Sequence, residues 1–372
     1  MNLNNNQEVF FALLRAGLWE QDVEIGKYGD ADFSEILRLA TEQSVVGLVA
    51  AGLEYIKDVK VPQEWALQFA GQTLQLEQRN RVMNTFVEEL ITKLRDKSVY
   101  TLLVKGQGIA QCYERPMWRA SGDIDLFLSD DNYSKAKQLL LPLSSSFEEE
   151  LPYTQHIGMT FGNIEVELHG NLRGNFSALT DRVIDEIKQD VFYNGNVRFW
   201  QNGSTQIFLM GATQDSFYVF THILQHFFRG GIGLRQVCDW CRLLYCYKKQ
   251  IDLRLLESLL KKARLMTEWK AFGALVVEWL GMPEDAMPFY SDKVCLQRKA
   301  NKLLGCILET GNLGHNIDNS YRIKKSFGVR KLTAVWRYTI EAFIHFKIFP
   351  MNTMRNYIRT MKSGLLSTLG LK

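Results

Sequence analysis

The sequence lacks the features that mark membrane-spanning, secreted and disulfide-linked proteins. No window approaches the roughly 18 uninterrupted apolar residues that a spanning helix requires. The nearest, residues 334–350, is interrupted by Arg337, Glu341, His345 and Lys347. The chain shows no secretory signal pattern at its start, and its six cysteines are scattered. We therefore expect reduced thiols and a cytoplasmic protein without a transmembrane segment.

Proline is scarce, with 7 in 372 residues, and neither an internal repeat nor a low-complexity linker is present. Hydrophobic residues make up 46% and charged residues 23% of the chain, as in an ordinary globular protein. Because the length exceeds what one core usually takes, we expect two or three domains. Since no flexible linker separates them, they should pack against one another.

Acidic residues are almost absent from the end of the chain. Residues 321–372 carry 11 Lys and Arg against one acid, Glu341, although the net charge of the whole chain is only +3. A segment with this balance can contact nucleic acid, anionic lipid or an acidic partner. An ordinary solvated helical face is an equally good interpretation.

The hydrophobic pattern divides the chain into three parts. Residues 1–97 have apolar residues at helical spacing, residues 98–204 contain short strands, and residues 205–372 return to helical spacing. The strands predicted in the middle part cover residues 99–105, 123–128, 153–161, 164–170 and 196–200, with a hairpin turn at Gly162-Asn163. The predicted fold class is therefore α+β, with a small mixed β-sheet core flanked by N- and C-terminal helical regions.

Two carboxylates lie in a predicted strand, although aspartate is uncommon in strands. Asp123 and Asp125 are separated by one residue, so they share a face of the predicted strand "DIDLFL". Like charges this close repel each other unless a cation lies between them, and a hard divalent ion such as Mg²⁺ takes oxygen ligands. Glu165 and Glu167 share a face of the later strand "IEVELHG". Three carboxylates on adjacent strands can hold the ions of an in-line phosphoryl transfer.

Each acidic pattern alone is a weak indication. A D-x-D pair also occurs in metal-dependent glycosyltransferases, and an E-x-E strand usually marks a solvent-facing edge. A calcium loop of the EF-hand type is a poor alternative, because "DIDLFLSDD" lacks the central glycine and the final glutamate. It is the occurrence of both patterns within one α/β segment that favours a metal site.

A possible phosphate contact precedes the acidic strand. Lys105 and Gly106 end one strand and open a helix, where glycine allows close approach and free N–H groups point at an anion. Arg119, just before the D-x-D pair, could add a bidentate guanidinium. A Lys-Gly pair at a strand end is, however, more often an ordinary turn.

Taken in order, these motifs resemble the uncharacterised bacterial nucleotidyltransferases of the DNA polymerase beta superfamily. In that group an "LKG" strand end, an "R…GDIDLL" strand and a "DLH" or "ELH" strand recur. The matching segments here are "VKG" at residues 104–106, "RASGDIDLFL" at 119–128 and "VELHGNL" at 166–172. Residues 222–244 resemble the helical segment that follows in the same group. The resemblance covers roughly residues 100–244.

The resemblance implies a core at residues 98–204 that transfers a nucleoside monophosphate from a nucleoside triphosphate to an unidentified acceptor hydroxyl, releasing pyrophosphate. The acceptor could be a small molecule, a protein or an RNA. The resemblance also implies that Asp123, Asp125 and Glu167 bind Mg²⁺ or Mn²⁺ and carry out catalysis. Glu165 is the alternative third acid. The residues expected beside the nucleotide are Lys105, Gly106, Arg119, Ser121 and Gly122.

Two positions depart from the family pattern. The usual Gly-Gly or Gly-Ser pair at the helix start is Gly106-Gln107 here, and the third acid is Glu167 instead of Asp. Two other functions remain open, the first because of these departures and the second because of the D-x-D pair itself. One is a catalytically inactive relative that contacts nucleic acid or a membrane surface through residues 321–372. The other is a D-x-D glycosyltransferase.

Several histidines and arginines have two interpretations each. His222 and His226 share one helix face and could bind zinc, but a structural or cleft-lining role is favoured because no glutamate follows the first histidine. His169 could orient the third acid or simply pack. Arg229 and Arg235 flank a glycine-rich loop that could face phosphate, although an ordinary interhelical turn is the favoured interpretation.

Overall fold

A computed structural model of the chain describes residues 3–150, 154–316 and 327–368. It has a seven-stranded mixed β-sheet with helices packed on both faces, which confirms the predicted α+β class. Within the described residues, none of the helices combines the length and the apolar character needed to cross a bilayer.

The described helices and strands alternate through the middle of the chain, with helices alone before and after it. The helices are α1 (Asn5–Trp19), α2 (Phe33–Glu42), α3 (Val46–Leu53), α4 (Gln63–Arg95), α5 (Gly106–Ala110), α6 (Asp130–Leu140), α7 (Ala178–Tyr193), α8 (Ala212–Phe227), α9 (Leu234–Cys246), α10 (Leu253–Ala263), α11 (Met266–Leu280), α12 (Val294–Thr310), α13 (Phe327–Phe346) and α14 (Pro350–Thr368). The strands are β1 (Leu102–Val104), β2 (Ile124–Phe127), β3 (Ser146–Phe147), β4 (His156–Phe161), β5 (Ile164–His169), β6 (Val197–Asn202) and β7 (Thr205–Met210).

The strand order in the sheet is β3-β4-β5-β2-β1-β7-β6. Strand β2 lies between β1, to which it is antiparallel, and β5, to which it is parallel. The predicted hairpin turn at Gly162-Asn163 is confirmed, since Phe161 pairs with Ile164 and Gly162 has a φ of +61°. The predicted start of that strand at Tyr153 lies outside the described residues.

The sheet extends further along the chain than the hydrophobic pattern indicates. Helices were expected from about Thr205, but residues Thr205–Met210 form β7, which pairs antiparallel with β6. The helical expectation is wrong for these six residues, because Gly203, at a φ of +55°, turns the chain back into a second hairpin. Division of the chain into domains at residues 98 and 205 remains a prediction.

The two faces of the sheet pack into different apolar clusters. On one face Leu103, Leu126 and Leu168 pack with apolar side chains of α4 and α6. On the other, Leu102 and Phe127 belong to a larger cluster that includes the N-terminal helices and α8 to α12. Strands β2 and β5 interrupt the apolar character of this second face, and their polar side chains there form the site described below.

Helices α13 and α14 contact each other as a hairpin at the end of the chain. At its bend, Phe349 is buried and its ring lies 6.1 Å from that of Phe227. The hairpin contains most of the basic segment that the sequence distinguishes, while residues 321–326 and 369–372 of that segment lie outside the described residues.

Candidate active site

Three carboxylates converge where β2 lies beside β5. The parallel register places Asp125 directly beside Glu167, and Asp123 immediately precedes β2. One carboxylate oxygen from each of the three residues lies within 4.8 Å of the others. Asp125 is only 2% exposed, whereas the Glu167 side chain is 32% exposed. The structure therefore brings together the three acids that the sequence singles out as metal ligands.

Glu165 does not join this group. It lies on the same strand, two residues before Glu167, but it is exposed and pairs with Thr160 of β4 instead of with β2. Of the two glutamates between which the sequence could not decide, Glu167 is the one beside Asp123 and Asp125.

Lys105 brings a positive charge to the acids from the end of β1. Its Nζ donates to Asp125 Oδ1 at 2.9 Å and to His222 Nε2 at 3.2 Å. Burial alone would lower the pKa of Lys105, but the charge of Asp125 outweighs it and raises the pKa. Lys105 has a backbone φ of +57°, which is uncommon for residues other than glycine, and Gly106 follows with a φ of +43°.

Two histidines on adjacent strands contact the acids from the other side. His156 of β4 and His169 of β5 face each other across the hairpin. His169 Nε2 lies 2.8 Å from Asp125 Oδ1 and 3.3 Å from Glu167 Oε2, and His156 Nε2 lies 3.1 Å from the same Glu167 oxygen. Burial lowers the pKa of His169, but its hydrogen bonds to both acids raise it overall. Lys105 and the two histidines thus contact Asp125 and Glu167 from opposite sides.

The pKa values of the three acids shift in different directions. Burial and the charge of Asp125 raise the pKa of Asp123. Burial also opposes ionisation of Asp125, but Lys105 and the hydrogen bond from His169 lower its pKa overall. Hydrogen bonds from His156 and then His169 lower the pKa of Glu167 well below its usual range. A cation beside Asp123 would relieve the repulsion that raises its pKa.

His222 and His226 of α8 cover the cluster from above the sheet face. Burial and the charge of Lys105 lower the pKa of His222 well below its usual value and that of His226 to about 4. Since an ammonium group has only donors, His222 Nε2 accepts from Lys105, and the proton of this neutral ring lies on Nδ1. Both rings line the cavity, in agreement with the favoured interpretation of this pair.

Arg119 lies beside the cluster but is held by another residue. Its Nε and Nη2 donate to the two carboxylate oxygens of Asp239 at 2.9 and 2.6 Å, and Tyr113 donates to the same carboxylate at 2.8 Å. All three side chains are buried. Arg119 Nη1 is buried without a hydrogen-bond partner among the described residues, so one donor of the guanidinium remains available.

A short loop, residues 120–122, connects Arg119 to Asp123. Asn80 of α4 donates through Nδ2 to the carbonyl oxygen of Arg119 at 2.8 Å and fixes the start of this loop. Ser121 Oγ is buried and has no hydrogen-bond partner in the described part of the chain, and Gly122 lines the cavity.

A cavity of about 560 Å³ opens over these groups. Arg235, at the start of α9, lines it and donates through Nη1 to the carbonyl oxygen of Ala120 at 3.3 Å. Arg229 instead donates to the backbone oxygen of Asn175 at 2.6 Å. Of the two arginines in the glycine-rich loop, Arg235 therefore faces the cavity directly.

The donor set fits a divalent cation. Three carboxylates whose ligand oxygens lie within 4.8 Å of one another, with one ammonium beside them, suit a hard ion such as Mg²⁺ or Mn²⁺. A second group, His156, Glu167 and His169, also places its ligand atoms within 4.8 Å of one another. Because imidazole nitrogen favours transition ions over Mg²⁺, this second group makes Mn²⁺ the better fit of the two.

Two residues of the site were not anticipated. His156 could have been found, because a two-residue turn at Gly162-Asn163 fixes it opposite His169. Asp239 could not, because its partner Arg119 is 120 residues away in the chain and nothing local connects them.

Comparison with known proteins gives one match. A family model described as "Uncharacterised nucleotidyltransferase" matches residues 29–281, which is more than half of the chain. Neither the curated proteins nor the solved structures contain a match. The matched range includes the whole sheet, the acid cluster and α9, but ends before the α13–α14 hairpin.

Proposed function

The chain belongs to the uncharacterised nucleotidyltransferase family, and from this premise we propose that it transfers a nucleoside monophosphate from a nucleoside triphosphate to an acceptor hydroxyl, releasing pyrophosphate. The observation that carries the proposal is the group of Asp123, Asp125 and Glu167 at the base of the cavity. The order of the three motifs further supports placing the chain in the DNA polymerase beta superfamily, and its scattered cysteines are in keeping with a cytoplasmic enzyme.

We assign the metal to the three acids. Asp123 and Asp125 would hold the nucleotide-associated Mg²⁺ or Mn²⁺, and Glu167 would complete a second position. When bound, such ions neutralise charge on the phosphates and align the attacking and leaving oxygens. Lys105 already neutralises Asp125, so the site tolerates its buried charge before any ion is bound.

The triphosphate would lie along the positive side of the cavity. Lys105 and Arg235 line it, and Arg119 offers the Nη1 donor that Asp239 leaves unused. Arg119 would act mainly by positioning the loop that contains Ser121 and Gly122. The hydroxyl of Ser121, which lacks a partner among the described residues, supports the assignment of this loop to phosphate.

Glu167 is the acid we assign to the acceptor. It is far more exposed than Asp125, so an acceptor hydroxyl can reach it. Its low pKa keeps it ionised, and it would therefore orient the hydroxyl by accepting its hydrogen bond. His156 and His169 would hold the carboxylate in place.

The proposal is tested with Asp123→Asn and Asp125→Asn in the intact chain. Each triphosphate is added with Mg²⁺ or Mn²⁺, and pyrophosphate release and the mass of any nucleotidylated product are measured. Because each variant removes one ligand charge, we expect activity to fall about 100-fold or more. Glu165→Gln is the matched control, since it lies on β5 outside the cluster and should leave activity unchanged.

The same experiment separates the other functions. Activity that survives in both Asn variants contradicts the assigned site. Binding of a triphosphate without pyrophosphate release in the wild type favours an inactive nucleotide-binding relative. Preference for nucleotide sugars over triphosphates favours the D-x-D glycosyltransferase.

A further inference from the structure

Helix α13 presents apolar side chains to solvent from Val329 to Phe343. Val329, Leu332, Trp336, Ile340 and Phe343 follow one another at intervals of three or four residues, so they form one stripe. All five are exposed, Leu332 by 73% and Trp336 by 67%. On a helix that packs against a protein core, a stripe of this spacing is normally the buried one.

The opposite side of α13 makes the contacts with the rest of the protein. His345 is buried, with its ring 4.4 Å from that of Phe227 and 5.8 Å from that of Phe228. Tyr338 accepts a hydrogen bond from Asn356 of α14 at 2.6 Å. The apolar stripe of α13 therefore points away from the body.

Helix α14 has the same inverted arrangement. Its buried side is polar: Asn352 donates to Glu268 Oε1 at 2.7 Å, and Asn356 donates to the backbone oxygen of Phe228 at 3.4 Å. Its outward side carries the exposed Met351, Met354 and Ile358, again spaced as one stripe. We call these three side chains, together with the five of α13, the outer face.

The charge around the outer face is almost all of one sign. Within residues 327–368 there is one acid, Glu341, and it is half-buried. The cations of the same range are Arg330, Lys331, Arg337, Lys347, Arg355, Arg359 and Lys362, of which Arg359 forms an ion pair with Asp181 of the body at 2.7 Å. Apart from Arg359, the hairpin thus combines six positive charges with an apolar stripe that no other described residue covers.

We propose that the outer face docks on the surface of an anionic lipid bilayer, with its apolar side chains at the acyl boundary and its cations among the headgroups. Helices that lie in the plane of a bilayer surface combine these features: an apolar stripe with large residues and Lys or Arg beside it. Trp336, near the middle of the stripe, suits such an interface because its ring is apolar and its N–H is polar.

Charge decides against the other partners that a stripe of this kind could bind. A second copy of the chain, meeting the same face symmetrically, would bring the six cations other than Arg359 against the same six. A nucleic acid backbone satisfies the cations but offers no cover for eight apolar side chains. An anionic bilayer satisfies both. The docking is independent of the proposed reaction, since the outer face contains none of the residues assigned to it.

The test uses the intact chain and vesicles of phosphatidylcholine, alone or with about 30% phosphatidylserine. Flotation measures the bound fraction. The wild type should float with the anionic vesicles and much less with the neutral ones, and high salt should weaken binding. The double variant Leu332→Asp/Trp336→Asp should bind about 100-fold more weakly, because two large apolar side chains are lost from the interface.

The matched control is Leu67→Asp/Leu74→Asp on α4. These leucines are also exposed and the charge change is the same, but they lie outside the hairpin, so binding should remain. Thermal unfolding checks that both variants are folded. No flotation of the wild type, equal binding to neutral vesicles, or an unaffected Leu332→Asp/Trp336→Asp variant overturns the proposal. So does a dimer in solution that this variant converts to a monomer, since the face would then bind a second copy.

Discussion

In the cavity, charged side chains are buried on a sheet face that is otherwise apolar, whereas in the α13–α14 hairpin apolar side chains are exposed on helices whose inner sides are polar. Asp125 and His169 illustrate the first arrangement, and Leu332 and Trp336 the second. Both depart from the ordinary rule that apolar groups are inside, and such departures concentrate at functional sites.

The two departures differ in how far the chain itself compensates for them. In the cavity, the buried Asp125 has Lys105 and His169 as partners, and Glu167 lies within hydrogen-bond distance of His156. No comparable contact covers the outer face among the described residues, where Trp336 and Phe343 remain exposed. The cavity can therefore form without its ligand, while the hairpin surface is complete only with a partner.

Two phenylalanines of the hairpin should differ most in how much their removal lowers the free energy of unfolding. Phe349→Ala should lower the free energy of unfolding by about 4 kcal/mol, because this ring is only 1% exposed and packs against Phe272 and Phe227. Phe343→Ala should change it by less than about 0.5 kcal/mol, because that ring is 69% exposed. Denaturant unfolding measures both. Equal losses would mean that the outer face contributes to the fold and needs no partner.

In the cavity, the corresponding test removes the internal cation. Lys105→Met leaves Asp125 buried without its ammonium partner and should cost about 3 kcal/mol of unfolding free energy. If the acids bind a divalent cation, Mn²⁺ should restore part of this loss, and it should stabilise the variant more than the wild type because Lys105 no longer competes for Asp125. Thermal unfolding with and without Mn²⁺ measures both effects.

The control is Lys57→Met, which removes an exposed ion pair with Asp22 and should cost less than about 0.5 kcal/mol. It should show no gain from Mn²⁺ beyond that of the wild type. A Lys105→Met protein that is as stable as the wild type would mean that the acids do not depend on an internal cation. Stability lost but not regained with Mn²⁺ would count against the metal assignment.

The sequence predicts the local part of the cavity well. Alternation in β2 and β5 correctly puts Asp123, Asp125 and Glu167 on one side of the sheet, because strand periodicity is a property of neighbouring residues. The glycine at position 203 is a similar local indication of a turn before β7. The helical pattern after Met210 is longer, however, and favours a helix for the whole segment. The ion pair of Arg119 and Asp239 depends on how distant elements pack, so no local pattern could reveal it.

The hairpin shows a different limit of sequence interpretation. Periodicity in α13 and α14 separates two sides of each helix, but it does not say which side packs against the body. Here the choice depends on partners far away in the chain, such as Glu268 and Phe228, which bind the polar side of α14. From the pattern alone, the apolar side of each helix would be expected to pack against the body, which is the opposite of the observed arrangement.

Protonation of His345 at acidic pH should lower the free energy of unfolding, and this is the smallest of the expected effects. Burial between aromatic rings lowers the pKa of His345 to about 4, from an unfolded value of about 6.5. Between these values the unfolded chain binds a proton that the folded chain excludes, so stability is full above about pH 6.5 and falls as the pH is lowered toward 4. By pH 5 the loss from this one group is about 2 kcal/mol.

His345→Phe should remove that part of the pH dependence, since a phenyl ring of similar size fits among Phe227 and Phe228 and does not titrate. Unfolding free energies of the two proteins, measured by denaturant from about pH 8 to pH 5, should run parallel above about pH 7 and diverge below it, with the variant the less acid-sensitive. His226 lies in the cavity and its pKa is also lowered to about 4, so the variant should retain some slope. Parallel curves throughout would mean that protonation of His345 does not lower the stability of the folded chain.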